Sequence, residues 1–402
     1  MSFDITKRDV QATEIAPVSV SQFDVDAYVE YEAKLLERAA AFATASEGVA
    51  VYRRMRAAEV FSDGSCDMRR SLELQLGCLR KSMDFEADIP NFLEPWYGIG
   101  TTASAYGAEY VWFTGQAPAV HPRFDTVAEA LACEPAPIAQ TAIGRHTLDM
   151  VDYFLNATQG KLPMCFSDAQ SPLNASTMIV NTNNLMMDVL FDPESVRLFL
   201  DRLADLNIDF VNEQKKLIGT CLVNPGHGFA SARNFTGYGQ SDDNILMLSN
   251  EQYIDCALPA FRKIGEAFGG AVFHSCGDWS AHIPAVCAID GLRCIDAAFS
   301  PETDPDPNPC DPFVETFANS GIVVNARIVG GLDVIENRVR ALWRRGMKLI
   351  VVTYCRTAEE QREAYQMIHD ICQPKSITNY ELRITSSPVS SISSISSISS
   401  NK

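Results

Sequence analysis

The run Phe273-His274-Ser275-Cys276-Gly277-Asp278 sets an imidazole and a thiol two residues apart at the end of an apolar stretch. Side chains at i and i+2 of a strand point to the same side, so His274 and Cys276 are expected to converge on one ion. Gly277 lets the chain turn directly afterwards. A second apolar run, Lys348-Leu349-Ile350-Val351-Val352-Thr353-Tyr354-Cys355, also ends in a cysteine. One His and two Cys are the ligand number of a catalytic zinc site, whose fourth position stays open to water or substrate. Zinc suits such a thiolate-rich set, and it would lower the pKa of an incoming thiol to give a nucleophile at neutral pH. The expected metal ligands are therefore His274, Cys276 and Cys355. The same residues equally fit a satisfied core histidine and two of twelve cysteines buried as small apolar groups, and spacing alone does not separate the two readings.

Further polar residues fall where strands should end. Asp242 and Asp243 precede Asn244 and an apolar stretch, and either carboxylate is placed to hold substrate or close the metal's fourth position, a solvated turn being the other reading. Asp168 and Asp296 each follow a predicted strand, from which one could orient His274 through its second ring nitrogen or cap the next helix. Tyr354 adjoins a ligand, to line the substrate or only to pack. Trp96 and Tyr97, in Glu94-Pro95-Trp96-Tyr97-Gly98, form an aromatic loop able to cover a flat cofactor or to pack on the surface.

A scaffold that gathers strand ends on one face is needed to bring these together. Residues 26–46 and 68–83 have helical spacing. From about residue 160 short apolar runs alternate with amphipathic stretches of helical length. Strands are predicted at Leu162–Phe166, Ala271–Phe273, Leu292–Ile295, Ile322–Val324 and Lys348–Thr353, with helices at 172–187, 193–217, 250–268, 308–319, 333–346 and 358–372. Such βα units favour right-handed crossovers and a parallel sheet. Ligand-type residues recur at many strand ends, which points to a (β/α)₈ TIM-type barrel rather than an open sheet with one switch point. No glycine-rich phosphate fingerprint follows a strand. The expected organisation is an N-terminal helical extension over 1–84, the barrel over 85–385, and a Ser/Ile tail over 386–402 with too little bulk to fold.

The 402 residues suffice for one such barrel, and 47% hydrophobic with 21% charged residues is the balance of a globular protein. With 33 basic against 51 acidic residues, a net charge of −18 disfavours nucleic acid and anionic membranes as partners. The start lacks the charged and apolar regions of a secretory signal, and no long uninterrupted apolar stretch occurs, so a cytoplasmic protein with mostly reduced cysteines is expected.

The pattern His-x-Cys-Gly followed far downstream by a strand-end Cys resembles the zinc signature of the corrinoid-dependent methyltransferases, within the uroporphyrinogen decarboxylase superfamily. The resemblance spans roughly residues 85–372 and extends to Ala87-Asp88-Ile89-Pro90, Ala105-Tyr106-Gly107, Ser171-Pro172-Leu173 and Leu248-Ser249-Asn250-Glu251-Gln252-Tyr253. It implies methyl transfer between a corrinoid and a thiol or similar acceptor. No corrinoid-binding domain is visible here, so the corrinoid would come on a separate partner protein. The superfamily's namesake decarboxylases are the alternative, as is a non-enzymatic corrinoid or tetrapyrrole binder. Asp88 matches the decarboxylases' strand-end aspartate. Their Met-Arg-Gln-Ala-Gly-Arg signature has only Met55-Arg56-Ala57-Ala58-Glu59-Val60 to set against it, with Val60 in place of the second arginine.

Overall fold

A computed structural model of the chain describes residues 9–372. Strand β1 (Gly48–Arg53) is followed by two short strands, β2 (Tyr110–Val111) and β3 (Ala119–Val120), which form a separate antiparallel ribbon. Strands β4 (Tyr238–Ser241), β5 (Ala271–His274), β6 (Leu292–Ala298), β7 (Val323–Ile328) and β8 (Lys348–Thr353) join β1 in one parallel sheet of order β1-β8-β7-β6-β5-β4. Single parallel bridges, Leu93 to Met164, Met164 to Leu222 and Gln170 to Ser241, carry the pairing round between the two edge strands. Among the described residues a regular ladder therefore spans six strands, and the remainder of the barrel is reduced to bridges. Proline explains the reduction, because Pro90, Pro163 and Pro225 each remove an N–H from the stretches concerned. The predicted strand at Leu162–Phe166 survives only as the bridge at Met164.

Alternation along the strands sorts side chains into two layers. Ala50, Tyr52, Ile350, Val352 and Tyr354 pack with Cys165 and Val223 inside the curl of the sheet. Val51, Leu349, Val351 and Cys355 belong instead to the larger cluster shared with the helices, which includes Ala364 and Ile368. Each fully buried aliphatic side chain contributes about 1.5–3 kcal/mol relative to exposure, so both layers hold the sheet.

The helices Val25–Thr44, Met68–Ser82, Pro193–Ile218, Cys310–Phe317, Leu332–Leu342 and Ala358–Cys372 lie where the spacing predicts them. Two predictions are corrected. The stretch 172–187 is broken into Pro172–Thr177 and Thr182–Phe191, because Asn181 accepts from the N–H groups of Asn183 and Asn184 and starts a new helix. The segment 250–268 opens at Ser249, in a capping box with Gln252, and carries a π-helical turn at Tyr253–Ala257 before continuing as Leu258–Ala267. The part expected to be a helical extension, 1–84, also contributes a strand: β1 pairs along its whole length with β8 and is integral to the sheet. The Ser/Ile tail lies outside the described residues. No helix among those described is long and apolar enough to cross a membrane.

Candidate functional site

Parallel strands end together, and three of the sequence-derived residues meet where β4 and β5 end. A carboxylate oxygen of Asp243, a ring nitrogen of His274 and the sulfur of Cys276 all lie within 4.8 Å of one another. His274 Nε2 is 3.5 Å from Cys276 Sγ and 3.9 Å from Asp243 Oδ1. The turn after Cys276 is secured by its own backbone, since the Cys276 N–H donates to Asp243 Oδ1 at 2.7 Å. Gly277, at φ +70°, donates its N–H to Asp304. Asn174 holds the other Asp243 oxygen at 3.3 Å.

Behind the ring stands Asp296, on β6 in register with His274 and 2% exposed. Its Oδ2 lies 2.6 Å from His274 Nδ1 and accepts from Arg327 Nε at 2.8 Å, while Asn325 donates to Oδ1. Burial alone would favour a neutral imidazole, yet Cys276 and Asp296 outweigh it and push the His274 pKa up to about 10. Burial likewise opposes charge on Asp296, but Arg327 and His274 hold its carboxyl below the usual range. Of the two aspartates proposed to orient His274, Asp296 does so.

Asp242 and its neighbour part company. Asp243 faces the cluster, whereas Asp242 is fully buried, accepts from Tyr253 Oη at 2.8 Å, and has its pKa pushed up to about 7, by burial first and Asp243 least. Cys355 is not brought into the cluster. It packs in the outer layer, 2% exposed, its carbonyl accepting from Arg53 Nε, and burial pushes its thiol up to about 12. The residue β8 turns inward is Tyr354, buried and with a hydroxyl that has no partner among the described residues.

Asp168 belongs to a second polar group at the same end of the sheet. It accepts from Trp96 Nε1 at 3.0 Å and lies 3.3 Å from His227 Nε2. The other ring nitrogen of His227 is 2.6 Å from Glu94, which faces Arg54 at 3.4 Å. Burial would raise the Glu94 pKa, but Arg54 and then His227 bring it down to about 2. Tyr97 stacks on His146 at 3.7 Å between ring centroids and is not free to cover a cofactor with that face. Asp88 stands apart from both groups, holding β1 to the helix Ala358–Cys372 by accepting from the Val51 N–H and Tyr365 Oη and lying 2.9 Å from His369. Arg54, Glu94, His227, Asn325 and Arg327 are not singled out by the sequence. The alternation Asn325-Ala326-Arg327 was the signal for two of them, polar groups on one face of an otherwise apolar strand.

The fold is of the α/β barrel type, with a His, a Cys and an Asp converging at the carboxyl ends of its strands. The model of the uroporphyrinogen decarboxylase (URO-D) family matches residues 41–227, a span that includes β1, Glu94, Asp168 and His227 and stops before His274. Among solved structures, a methyltransferase from Methanosarcina mazei superposes with a TM-score of 0.58 at 13% sequence identity, covering 84% of this chain and 98% of that one. No curated protein matches the chain. Residues 41–227 are thus similar to the uroporphyrinogen decarboxylase family, and the likeness to the M. mazei protein is one of fold.

Proposed function

We propose that the chain is a zinc-dependent methyltransferase that moves a methyl group between a corrinoid carried by a separate protein and a thiol or similar acceptor. The observation that carries this reading is the convergence of Asp243, His274 and Cys276, with Asp296 engaging the far nitrogen of the ring. Imidazole, thiolate and carboxylate are all ligand types that zinc takes, and a carboxylate on the second nitrogen is how a metal-binding histidine is kept in one tautomer. The donor set fits. Zinc held there would supply the charge that lowers the pKa of an acceptor thiol.

The chain's own residues do the positioning. Asp296 and Arg327 fix the imidazole, Asn174 and the Cys276 N–H fix Asp243, and the Phe229 ring stands edge-on to His274, 6.3 Å between centroids, shielding one side from water. Tyr354 offers the inward hydroxyl for substrate. The M. mazei methyltransferase supports the same reaction class, as does the resemblance carried by His-x-Cys-Gly. A decarboxylase for a polycarboxylate tetrapyrrole has less support, because the buried Arg54 and Arg327 already face Glu94 and Asp296.

Elemental analysis of purified protein tests the reading. Zinc is expected at one ion per chain in the parent, to be lost from His274→Ala and Cys276→Ala, and to be kept by Cys355→Ala. Zinc lost with Cys355→Ala would mean that the segment after β8 turns its thiol inward on binding. A zinc-free parent, or Cys276→Ala with parental zinc, would overturn the proposal in favour of a tetrapyrrole-binding role.

A further inference from the structure

The opposite end of the sheet, where the strands begin, holds a recess of about 180 Å³ whose walls include Phe42, Pro225, Thr236, Arg293, Val323 and Lys348. That is roughly tenfold the space one water needs. Two of its lining side chains are cationic and none is acidic, in a chain with 51 acidic against 33 basic residues.

Lys348 opens β8 on the inward side and is 8% exposed. Its ammonium donates to the Ala43 carbonyl at 2.9 Å and lies 5.4 Å from the centre of the Phe42 ring, and among the described residues it has no carboxylate partner. Capping the helix Val25–Thr44 in this way accounts for one of three N–H donors. Burial draws its pKa below the ordinary lysine value, so the surroundings do not by themselves favour the charge.

Arg293 is seated by missing side chains. A Cβ at Gly270 would come within 2.5 Å of its Cγ and 2.8 Å of its Nε, and one at Gly237 within 3.7 Å of its Cγ. Neither its guanidinium nor the Thr236 hydroxyl makes a hydrogen bond or ion pair among the described residues. Two cationic side chains and a hydroxyl lining one recess, with no acidic side chain among its walls, fit an anion with several oxygen acceptors.

We propose that this recess binds a small oxyanion of the phosphate class, free or as a phosphomonoester, between Lys348 and Arg293 with Thr236 as a neutral donor. The site is at the far end of the sheet from His274 and is independent of the methyltransferase reading.

Calorimetric titration of the full-length protein with inorganic phosphate and with ribose 5-phosphate, at ionic strength fixed with sodium chloride, tests this. Saturable binding is expected, with a melting temperature raised by phosphate beyond its value in chloride alone. Arg293→Ala and Lys348→Met should each weaken binding by about tenfold or more, and Cys276→Ala should leave it unchanged. Tighter binding of the ester identifies a phosphomonoester ligand, and equal binding the free anion. Arg293 is exposed, so its variant decides the matter even where Lys348→Met fails to fold. The absence of saturable binding, parental affinity in Arg293→Ala, or a loss that follows Cys276→Ala would each overturn the proposal.

Discussion

Asp296 is answered by an imidazole, a guanidinium and a carboxamide at once. Asp296→Asn keeps the shape but removes the charge that Arg327 and His274 face. Breaking a buried pair from one side costs about 3–5 kcal/mol, so the melting temperature should fall. Loss of a carboxylate behind a metal-binding histidine weakens metal affinity by about 10–100-fold, which chelator competition would measure; unchanged zinc affinity would show that Asp296 serves only the fold. His274 and Cys276 were legible in the sequence because both sit on one short segment, where strand geometry alone decides that they converge. Cys355 lies apart from them, and no local rule says which of two consecutive strand-end residues looks inward. Ile350 and Val352 set the phase, and it is Tyr354 that follows them. Glu94 and His227 stayed hidden since their meeting depends on the path of two loops, and neither lies in a pattern that points to the other.

The elements most easily read were the long amphipathic helices and the apolar strands β5 to β8, each with a strong period of its own. Strand β1 was missed because its six residues are lodged between two long helices and their sheet partner, β8, is distant in sequence. Asp88 fastens that strand from the side, with its own N–H donating to the Val51 carbonyl and its carboxylate taking the Val51 N–H. Asp88→Ala leaves the Val51 N–H and the Tyr365 hydroxyl without their acceptor. A loss of about 1–3 kcal/mol per buried group is expected, seen as earlier thermal unfolding and faster hydrogen exchange in β1. Parental exchange there would mean that pairing with β8 suffices to hold the edge.

For the whole molecule, an excess of negative charge makes the compact state repel itself near neutrality, and added salt should relieve part of that strain. Acid acts the other way through particular groups. The Glu94 pKa lies near 2 in the folded protein against an ordinary 4.5, so its contribution to stability is fully present above about pH 4.5 and is lost as pH falls through about 2. Melting temperatures of the parent and of Glu94→Gln, compared over that window, should draw together as the pH drops. Curves that stay parallel would show that the Arg54 pairing is not what keeps Glu94 ionised.

The π-helical turn at Tyr253–Ala257 works as a phase adjuster between two demands on one helix. The residues after it must keep Phe261 and Ile264 buried, and the residue at its start must put a phenol on Asp242, next in the chain to the aspartate that faces His274 and Cys276. A regular helix advances about 100° per residue, and one extra residue in the turn lets both ends keep their own heading. Shortening the turn by one residue would therefore swing one end through about that angle, trading the apolar stripe against the phenol. In this helix, chain length at a single turn decides whether Tyr253 can reach Asp242 while Phe261 and Ile264 stay buried.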